Sequence, residues 1–522
     1  MNEKYFTVRL FRFDPTADVE PEYRQFNLEQ GPRITVLELL KEIYRNHDPE
    51  LSFRWSCGLG KCGACAVRVN GLPVLACQTI VDNEDLTIEP IPGLPVIKDL
   101  IVDRTPYEDK LQSIRPFMDR GADRYLDQTE KPANPTRYKR LSTCLECLAC
   151  MSACPVFETA AFDFAGPAIF TILSKWDAHP ADSSDRGALA MHSGLHNCTT
   201  CKSCSEVCPK SIDVFKEAIQ VLRAENAGKG RGLPPIQAQF AQALSQSGKL
   251  FSPKGQSFTE LASSTADSEI SVQSVGLFLG CRIDARMQEY AALLVSLLEK
   301  LGYRVVIPRD QECCGGPLLW TGQTRWFETQ MLANAKAFAA EQIDFVVTPC
   351  PGCGMVLKQD YPQAYAHLEG KPLPFRAAQA VELLEGRLVK NELQSVELTV
   401  TYHDPCHLTR GQHIGDLPRR LLKSIPGVKL VEMEQADRCC GGMTVSANRH
   451  LAETLSAKKA ANIAATKAEA VVTSCPTCQD TISKALARYN HKLPVYLIEE
   501  VIGRSLGVNT GAESSPVNAP RR

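Results

Sequence analysis

The chain carries 22 cysteines, and their spacing constrains it more than any other feature. They fall into five groups: Cys57, Cys62, Cys65 and Cys77; Cys144, Cys147, Cys150 and Cys154; Cys198, Cys201, Cys204 and Cys208; Cys281, Cys313, Cys314, Cys350 and Cys353; and Cys406, Cys439, Cys440, Cys475 and Cys478. Three groups of four and two of five leave no cysteine over. A disulfide scaffold fits poorly. The chain is long, the start Met1-Asn2-Glu3-Lys4-Tyr5 predicts no secretory leader, and such close cysteines cannot easily bridge one another. Thiolates at these gaps read as metal ligands.

Composition narrows the class further. At 522 residues the chain has room for about three domains. Hydrophobic residues make up 44% and charged residues 23%, a globular balance that excludes disordered, collagenous and coiled-coil chains. A net charge of −2 offers no bulk attraction to nucleic acid or anionic lipid, so no nucleic-acid partner is expected. No apolar run reaches about 18 residues, so no membrane-spanning helix is expected and the location reads as cytoplasmic.

The first 105 residues read as a small α+β domain. Phe6, Val8 and Leu10 alternate with polar neighbours as in a strand, and Val36, Leu37, Leu39, Leu40 and Ile43 fit one helix face. Strands return over 67–90, with Asn70-Gly71 as a hairpin turn. Residues 106–226 carry two cysteine groups among helical patterns such as 214–222. Residues 227–272 read as a linker: loop chemistry at 228–235, a helical piece at 236–244, then a small polar stretch at 263–274. The remainder is a repeat of about 125 residues, covering 273–395 and 396–506. Strands are predicted at 275–279, 304–307 and 345–348 in the first copy, and at 398–402, 429–432 and 470–473 in the second. Long helices such as 287–301 and 451–467 separate them, the alternation of α/β units. Cysteines follow the strands, where open α/β sheets place ligands. The tail 507–522 is polar and expected to be disordered.

The first group reads C-x4-C-x2-C-x11-C, the plant-type spacing for a [2Fe–2S] cluster, with Gly58, Gly60 and Gly63 allowing the loop to wrap. The second and third both read C-x2-C-x2-C-x3-C-P. In such runs the fourth cysteine serves the other cluster. One [4Fe–4S] set is therefore Cys144, Cys147, Cys150 and Cys208, the other Cys154, Cys198, Cys201 and Cys204. Pro155 and Pro209 are expected to stop the helix past the ligand. The last two groups read C-x31-C-C-G-x34-C-x2-C and C-x32-C-C-G-x33-C-x2-C. Gly315-Gly316 and Gly441-Gly442 supply the turn after each cysteine pair. Five thiolates exceed the four of a cubane or zinc site, and spacing alone leaves iron against zinc open. His403 and His407 flank Cys406 and read as proton relays, extra ligands or loop histidines bonded to backbone; His47 and His367 read as surface residues. No G-x-G-x-x-G follows a strand and no Walker motif occurs, so no FAD or nicotinamide site is expected on this chain, and two-electron chemistry needs a partner.

These motifs together carry a family resemblance. Residues 1–225 resemble the iron–sulfur subunits of succinate dehydrogenase and fumarate reductase. The resemblance rests on Ser56-Cys57 through Gly63-Ala64-Cys65, Asn70-Gly71-Leu72-Pro73, Leu75-Ala76-Cys77 and Pro95 to Asp103. Residues 275–490 resemble the B subunits of heterodisulfide reductases, with their paired CCG domains. The fusion resembles the B subunits of thiol:fumarate reductases that use coenzymes M and B. The resemblance implies a multidomain α+β chain: a β-grasp [2Fe–2S] ferredoxin domain, a helical two-cluster domain and two α/β CCG domains. It also implies a non-cubane [4Fe–4S] cluster at each CCG group, with catalytic candidates near Cys281, Cys406, His403 and His407. One departure matters. Succinate dehydrogenases commonly lack a cysteine at the position of Cys201 and hold a [3Fe–4S] cluster beside a quinone; here Cys201 is present, which implies a second [4Fe–4S] cluster.

The expected function is an oxidoreductase subunit that passes electrons between a FAD flavoprotein working on fumarate and succinate and a thiol/disulfide couple at the CCG domains. Two alternatives stand beside it. The same wire could end on a quinone pool through a membrane partner, as in iron–sulfur subunits resembling glycolate and lactate oxidation systems, which would make the chain peripheral at the cytoplasmic face. The CCG groups could instead hold zinc in an interaction module.

Overall fold

The computed structural model describes residues 5–120, 135–253, 255–261, 273–388 and 393–508. The expected disordered tail from 509 onward and the polar stretch up to 272 lie outside the described residues. The chain divides into two compact units, one of residues 1–198 and 202–229, the other of 199–201 and 230–522.

The first unit starts with β1 (Tyr5–Arg12), which buries Phe6, Val8, Leu10 and Arg12 at the two-residue period of a strand. It pairs antiparallel with β2 (Glu22–Glu29). Helix α1 (Val36–Asn46) buries the five apolar residues that share one face. Thr35 and Glu38 close its N-terminus as a capping box, an arrangement that contributes about 1 kcal/mol. Strands β3 (Ala66–Val69) and β4 (Leu72–Leu75) are joined at Asn70 and Gly71, both at positive φ as a two-residue hairpin requires. With β5 (Leu86–Glu89) the sheet order is β2-β1-β5-β3-β4, and β1 runs parallel to β5. Buried Arg12 is paired with Asp48 and Asp99. Asp99 also accepts from the backbone N–H groups of Phe13 and Ser52, so the 95–103 stretch ties β1 to the chain entering the first cysteine loop.

The rest of this unit is helical around α2 (Pro167–Asp177), whose first eight residues are all buried. Pro155 corrects one expectation. It does not merely stop a helix; it opens the helix Pro155–Ala160, with Cys154 as the cap whose Sγ accepts from Phe157 N–H. Proline suits the first helical position because its missing N–H would have had no partner there.

The second unit corrects the linker. Residues 235–247 form α3 (Pro235–Ser247), which is folded onto the first repeat. Gln330 donates to Leu244 O, Cys313 N–H donates to Gly248 O, and Lys249 pairs with buried Asp284. Loop chemistry before and after the helix marked its ends but hid its packing.

In the first repeat, β6 (Ser274–Leu277), β7 (Arg304–Val306), β8 (Phe345–Thr348) and β9 (Arg376–Gln379) form a parallel sheet in the order β7-β6-β8-β9. The second repeats it with β10 (Leu398–His403), β11 (Val428–Leu430), β12 (Ala470–Thr473) and β13 (Val495–Leu497), ordered β11-β10-β12-β13. The sequence pattern missed both fourth strands; in β9, Arg-Ala-Ala-Gln has no β-branched residue to mark it. The main helices are α4 (Gln288–Lys300), α5 (Thr324–Ala340), α6 (Pro351–Met355), α7 (Cys406–Gln412), α8 (Arg449–Ala465) and α9 (Ile498–Ser505).

The repeats share one apolar core, in which Leu293 and Leu297 of α4 cluster with Val400 and Tyr402 of β10 and with Ile498 and Val501 of α9. They also meet where α6 packs on α7. A Cβ on Gly354 would lie 2.2 Å from Gln379 Oε1, and one on Gly411 2.6 Å from Met355 Sδ, so only glycine fits that approach undisturbed.

Candidate metal centres

The first centre is built by a loop folded around sulfur. Cys57 Sγ accepts from the N–H groups of Leu59 and Lys61, both at 3.3 Å, and Cys77 Sγ from Gly60 N–H at 3.3 Å. The N–H groups of Leu59 and then Lys61 bring the Cys57 thiol down to about 6. Burial pushes Cys65 up to about 11, beside Cys77 and Cys62. Cys62 lies within reach of Cys57, so the loop brings all four thiols together. Gly63 sits at φ +72°, and a Cβ there would lie 2.7 Å from Leu145 O and 2.9 Å from the Cys147 Cβ. The loop is thus pressed against the second cysteine motif.

That motif opens onto an apolar pocket lined by Cys144, Cys147, Cys150 and Cys208, with Leu148 and Pro209. Cys208 comes from the other C-x2-C-x2-C-x3-C run, and Cys154 is not among the lining residues. Burial pushes Cys144 up to about 11 and Cys150 well above the usual thiol range. Both runs bend alike. Glu146 and Leu148 in one, Thr200 and Lys202 in the other, take left-handed backbone conformations at φ between 49° and 66°. Non-glycine residues hold such angles only when their surroundings impose them. Arg104 does so for Glu146 by donating to its carbonyl, and Tyr107 by donating to its carboxylate. Of the remaining set, Cys154 and Cys204 are buried and Cys198 is half-buried, its carbonyl accepting from buried Arg223. Cys201 is buried in the second unit, where Arg410 Nε donates to its carbonyl at 2.8 Å.

In each repeat the first and third strands lie side by side and their connections run to opposite sides, the switch point where α/β sheets hold ligands. Cys281 and Cys350 follow β6 and β8; Cys406 and Cys475 follow β10 and β12. The cysteine pair comes from the loop after the second strand, turned inward by Gly315 and Gly441 at φ +73° and +84°. The five thiols of each repeat converge. In the first, Cys313 reaches Cys281 and Cys314, and Cys353 reaches Cys314 and Cys350. In the second, Cys439 reaches Cys201, Cys406 and Cys440, Cys478 reaches Cys440 and Cys475, and Cys440 Sγ lies 3.5 Å from Cys478 Sγ. Within each set, contact with a neighbouring thiol drives some members up and others down. Cys313 and Cys353 rise while Cys314 and Cys350 fall; Cys406 and Cys478 rise while Cys439 and Cys440 fall. Buried thiols that share protons in this way are suited to exchange them for metal.

Two histidines complete the second repeat. His407 sits on the face of α7 toward the first repeat: its ring centroid is 4.6 Å from that of Trp320, and its Nε2 is 3.2 Å from both Thr200 O and Thr200 Oγ1. His403 is buried, and burial followed by the nearby Lys459 charge holds it neutral, with its pKa down to about 3. Its Nδ1 lies 3.1 Å from Ala436 O. His47 and His367 are exposed. Sequence reading passed over Lys459, which is fully buried in α8 and donates to the carbonyls of Gln435 and Ala436. Its place four residues after Leu455 and four before Ile463 puts it on the apolar face, and that spacing was the available signal.

Comparison with known proteins agrees with this layout. The chain matches a 2Fe-2S iron-sulfur cluster binding domain over residues 7–109, a 4Fe-4S dicluster domain over 140–212, and a cysteine-rich domain twice, over 275–358 and 400–483. The B subunit of the CoM/CoB fumarate reductase of Methanothermobacter marburgensis is 37% identical over 486 residues, spanning 92% of this chain and 95% of that protein. The chain belongs to that family of iron–sulfur B subunits. It is therefore an oxidoreductase subunit of the fumarate reductase and succinate dehydrogenase type, extended by two CCG domains. The family's first part is shared more widely: a fumarate reductase iron-sulfur subunit of Escherichia coli is 32% identical over 218 residues, 40% of this chain and 88% of that one. A hypothetical protein from Helicobacter pylori, known as a crystal structure, shares the fold at a TM-score of 0.67 and 15% identity, covering 98% of both chains. Among the described residues, no helix is long and apolar enough to cross a membrane.

The donor sets fit the groups this family implies. The first two centres offer converging thiols with backbone N–H groups aimed at sulfur, which iron–sulfur clusters require. Each five-cysteine set is a soft donor shell with one sulfur more than tetrahedral zinc can use.

Proposed function

We propose that this chain is the electron-carrying subunit of a fumarate reductase complex in which a thiol pair supplies the electrons. The observation that carries the reading is the joining, in one chain, of the ferredoxin-type cysteine sets to two converging five-thiol sets. A FAD flavoprotein partner would hold fumarate and succinate. Two thiols would lose two electrons and two protons and leave as a disulfide, while fumarate gains the same and becomes succinate.

Cys57, Cys62, Cys65 and Cys77 would hold a [2Fe–2S] cluster. Cys144, Cys147, Cys150 and Cys208 would hold one [4Fe–4S] cluster, and Cys154, Cys198, Cys201 and Cys204 another. Each five-cysteine group would hold a further [4Fe–4S] cluster. Bound there, these clusters supply one-electron transfer between the flavin and the thiol couple. The chain's own residues do the rest. Thiols held low by neighbouring donors stay ready to bind metal. His407, whose Nε2 faces the Thr200 carbonyl and so donates from that nitrogen, sets its ring against Trp320 where the two repeats meet. The apolar walls around Cys144 and Cys147 keep water from the sulfurs.

The test is fumarate reduction by the anaerobically purified native complex, driven by a thiol pair and separately by a menaquinol analogue. Thiol-driven turnover, with about 18 iron atoms per chain, is the expected result. Turnover with quinol alone, or about 10 iron atoms with zinc in the five-cysteine groups, overturns the reading.

A further inference from the structure

His403 ends β10 three residues before Cys406, and it is 1% exposed. Its two ring nitrogens have different surroundings. Nδ1 faces the carbonyl of Ala436, which also accepts from Asp404 N–H at 3.1 Å and from Lys459 Nζ at 3.2 Å. A carbonyl only accepts, so Nδ1 carries the ring's proton. In a neutral imidazole Nε2 is then a lone pair. Nε2 is buried and has no hydrogen-bond partner among the described residues, a costly state for a polar atom unless something absent from the protein itself occupies it. A ring nitrogen of His403 and the sulfurs of Cys440 and Cys478 all lie within 4.8 Å of one another. An N–H bonded to a backbone carbonyl with the opposite nitrogen turned toward thiolates is how proteins orient a histidine that binds metal.

The first repeat supplies an internal contrast. Three residues before Cys281 stands Phe278, fully buried and stacked on Phe338 at 6.0 Å. Helices α5 and α8 have the same length, so Asn334 takes the place of Lys459. It donates to Cys313 O and Tyr361 Oη, where Lys459 donates to the carbonyl that orients His403. Both halves of the device, the ligand and the cation behind its carbonyl, are therefore present in the second repeat and missing from the first.

We propose that His403 Nε2 is a ligand to the metal centre of the second repeat, so that the two centres differ: thiolates alone in the first, thiolates and one imidazole in the second. The inference rests on the assignment of iron to the second five-cysteine group. A neutral nitrogen in the donor set makes the second centre easier to reduce than the first, which orders the two one-electron steps of the thiol reaction.

The test uses the full chain in its anaerobic holo form, with histidines labelled with nitrogen-15. Pulsed EPR on samples poised through a redox titration is expected to show one strongly coupled histidine nitrogen. His403→Gln abolishes it and His407→Gln retains it. Iron retention under a chelator gives a readout that needs no paramagnetic state. His403→Gln is expected to lose the iron of this group on the order of 10-fold faster than the parent chain. Equal iron loss, or a coupling that survives His403→Gln, overturns the proposal while leaving the iron assignment standing. A second group without iron in the parent chain overturns both.

Discussion

Gly63 shows how a single position can serve two centres. It stands between Cys62 and Cys65 at φ +72°, where an L side chain is strained, and a methyl there would strike Leu145 O and the Cys147 Cβ. Gly63→Ala combines a left-handed penalty of about 1–2 kcal/mol with an overpacking cost of similar size. We expect it to destabilise the first unit by about 3 kcal/mol and to deplete iron from the first cysteine group, as seen in anaerobic thermal melts and visible absorption. The glycine was singled out from sequence as a loop former. That its missing side chain also makes room for Cys147 was not legible, because Cys147 lies 84 positions away in the chain.

Helices α6 and α7 carry Cys353 and Cys406 and pack on one another where the two repeats meet. Gln412 of α7 donates to Pro351 O of α6 and to Gln379 Oε1, so the contact is polar and buried. Alanine improves helix propensity by about 1 kcal/mol at either glycine of this contact. At Gly354 the added methyl meets Gln379 and Gln412, which are locked by their hydrogen bond, and overpacking of about 1–3 kcal/mol wins. At Gly411 it meets chiefly the end of the Met355 thioether, which can turn away. Gly354→Ala is therefore expected to lower the stability of the second unit by about 1–2 kcal/mol and Gly411→Ala to leave it nearly unchanged, as read from denaturation midpoints. Equal losses would show that the approach of the helices, rather than the amide pair, sets the limit. Element reading from sequence succeeded where periodicity was long, as in α1, α4 and α8. It failed at β9 and β13, which are strands because a neighbouring parallel strand takes up their backbone hydrogen bonds.

Across the molecule, the two repeats of the second unit are held by a common core, and one acid is buried within it. Glu499 of α9 is fully buried and accepts from Tyr290 Oη of α4 at 2.9 Å. Burial pushes its pKa up from 4.5 to about 7. Below pH 4.5 the group is protonated folded and unfolded, and its contribution is constant. Between 4.5 and about 7 the unfolded chain releases the proton that the folded chain keeps, so stability falls as pH rises. Glu499→Gln keeps an acceptor for Tyr290 and removes that titration. It should flatten the pH dependence over this window and stabilise the chain above about pH 7 by up to roughly 3 kcal/mol. Melting temperatures of parent and variant from about pH 5 to pH 8 check this; parallel curves would mean that Glu499 ionises freely in the fold.

The sequence by itself determined the order of the cysteine sets, the parallel α/β repeat and the family resemblance, because these depend on spacing over a few residues and on periods along single elements. Tertiary structure decided the rest. Helix α3 is a wall of the first repeat rather than a tether because Leu244 finds a core to enter. Lys459 is buried because carbonyls of the loop before Cys439 accept its protons. His403 differs from an ordinary loop histidine through the Ala436 carbonyl at its Nδ1 and the Cys440 and Cys478 sulfurs close to its ring. Burial and hydrogen bonding between distant residues set these roles, and neither is written in local spacing.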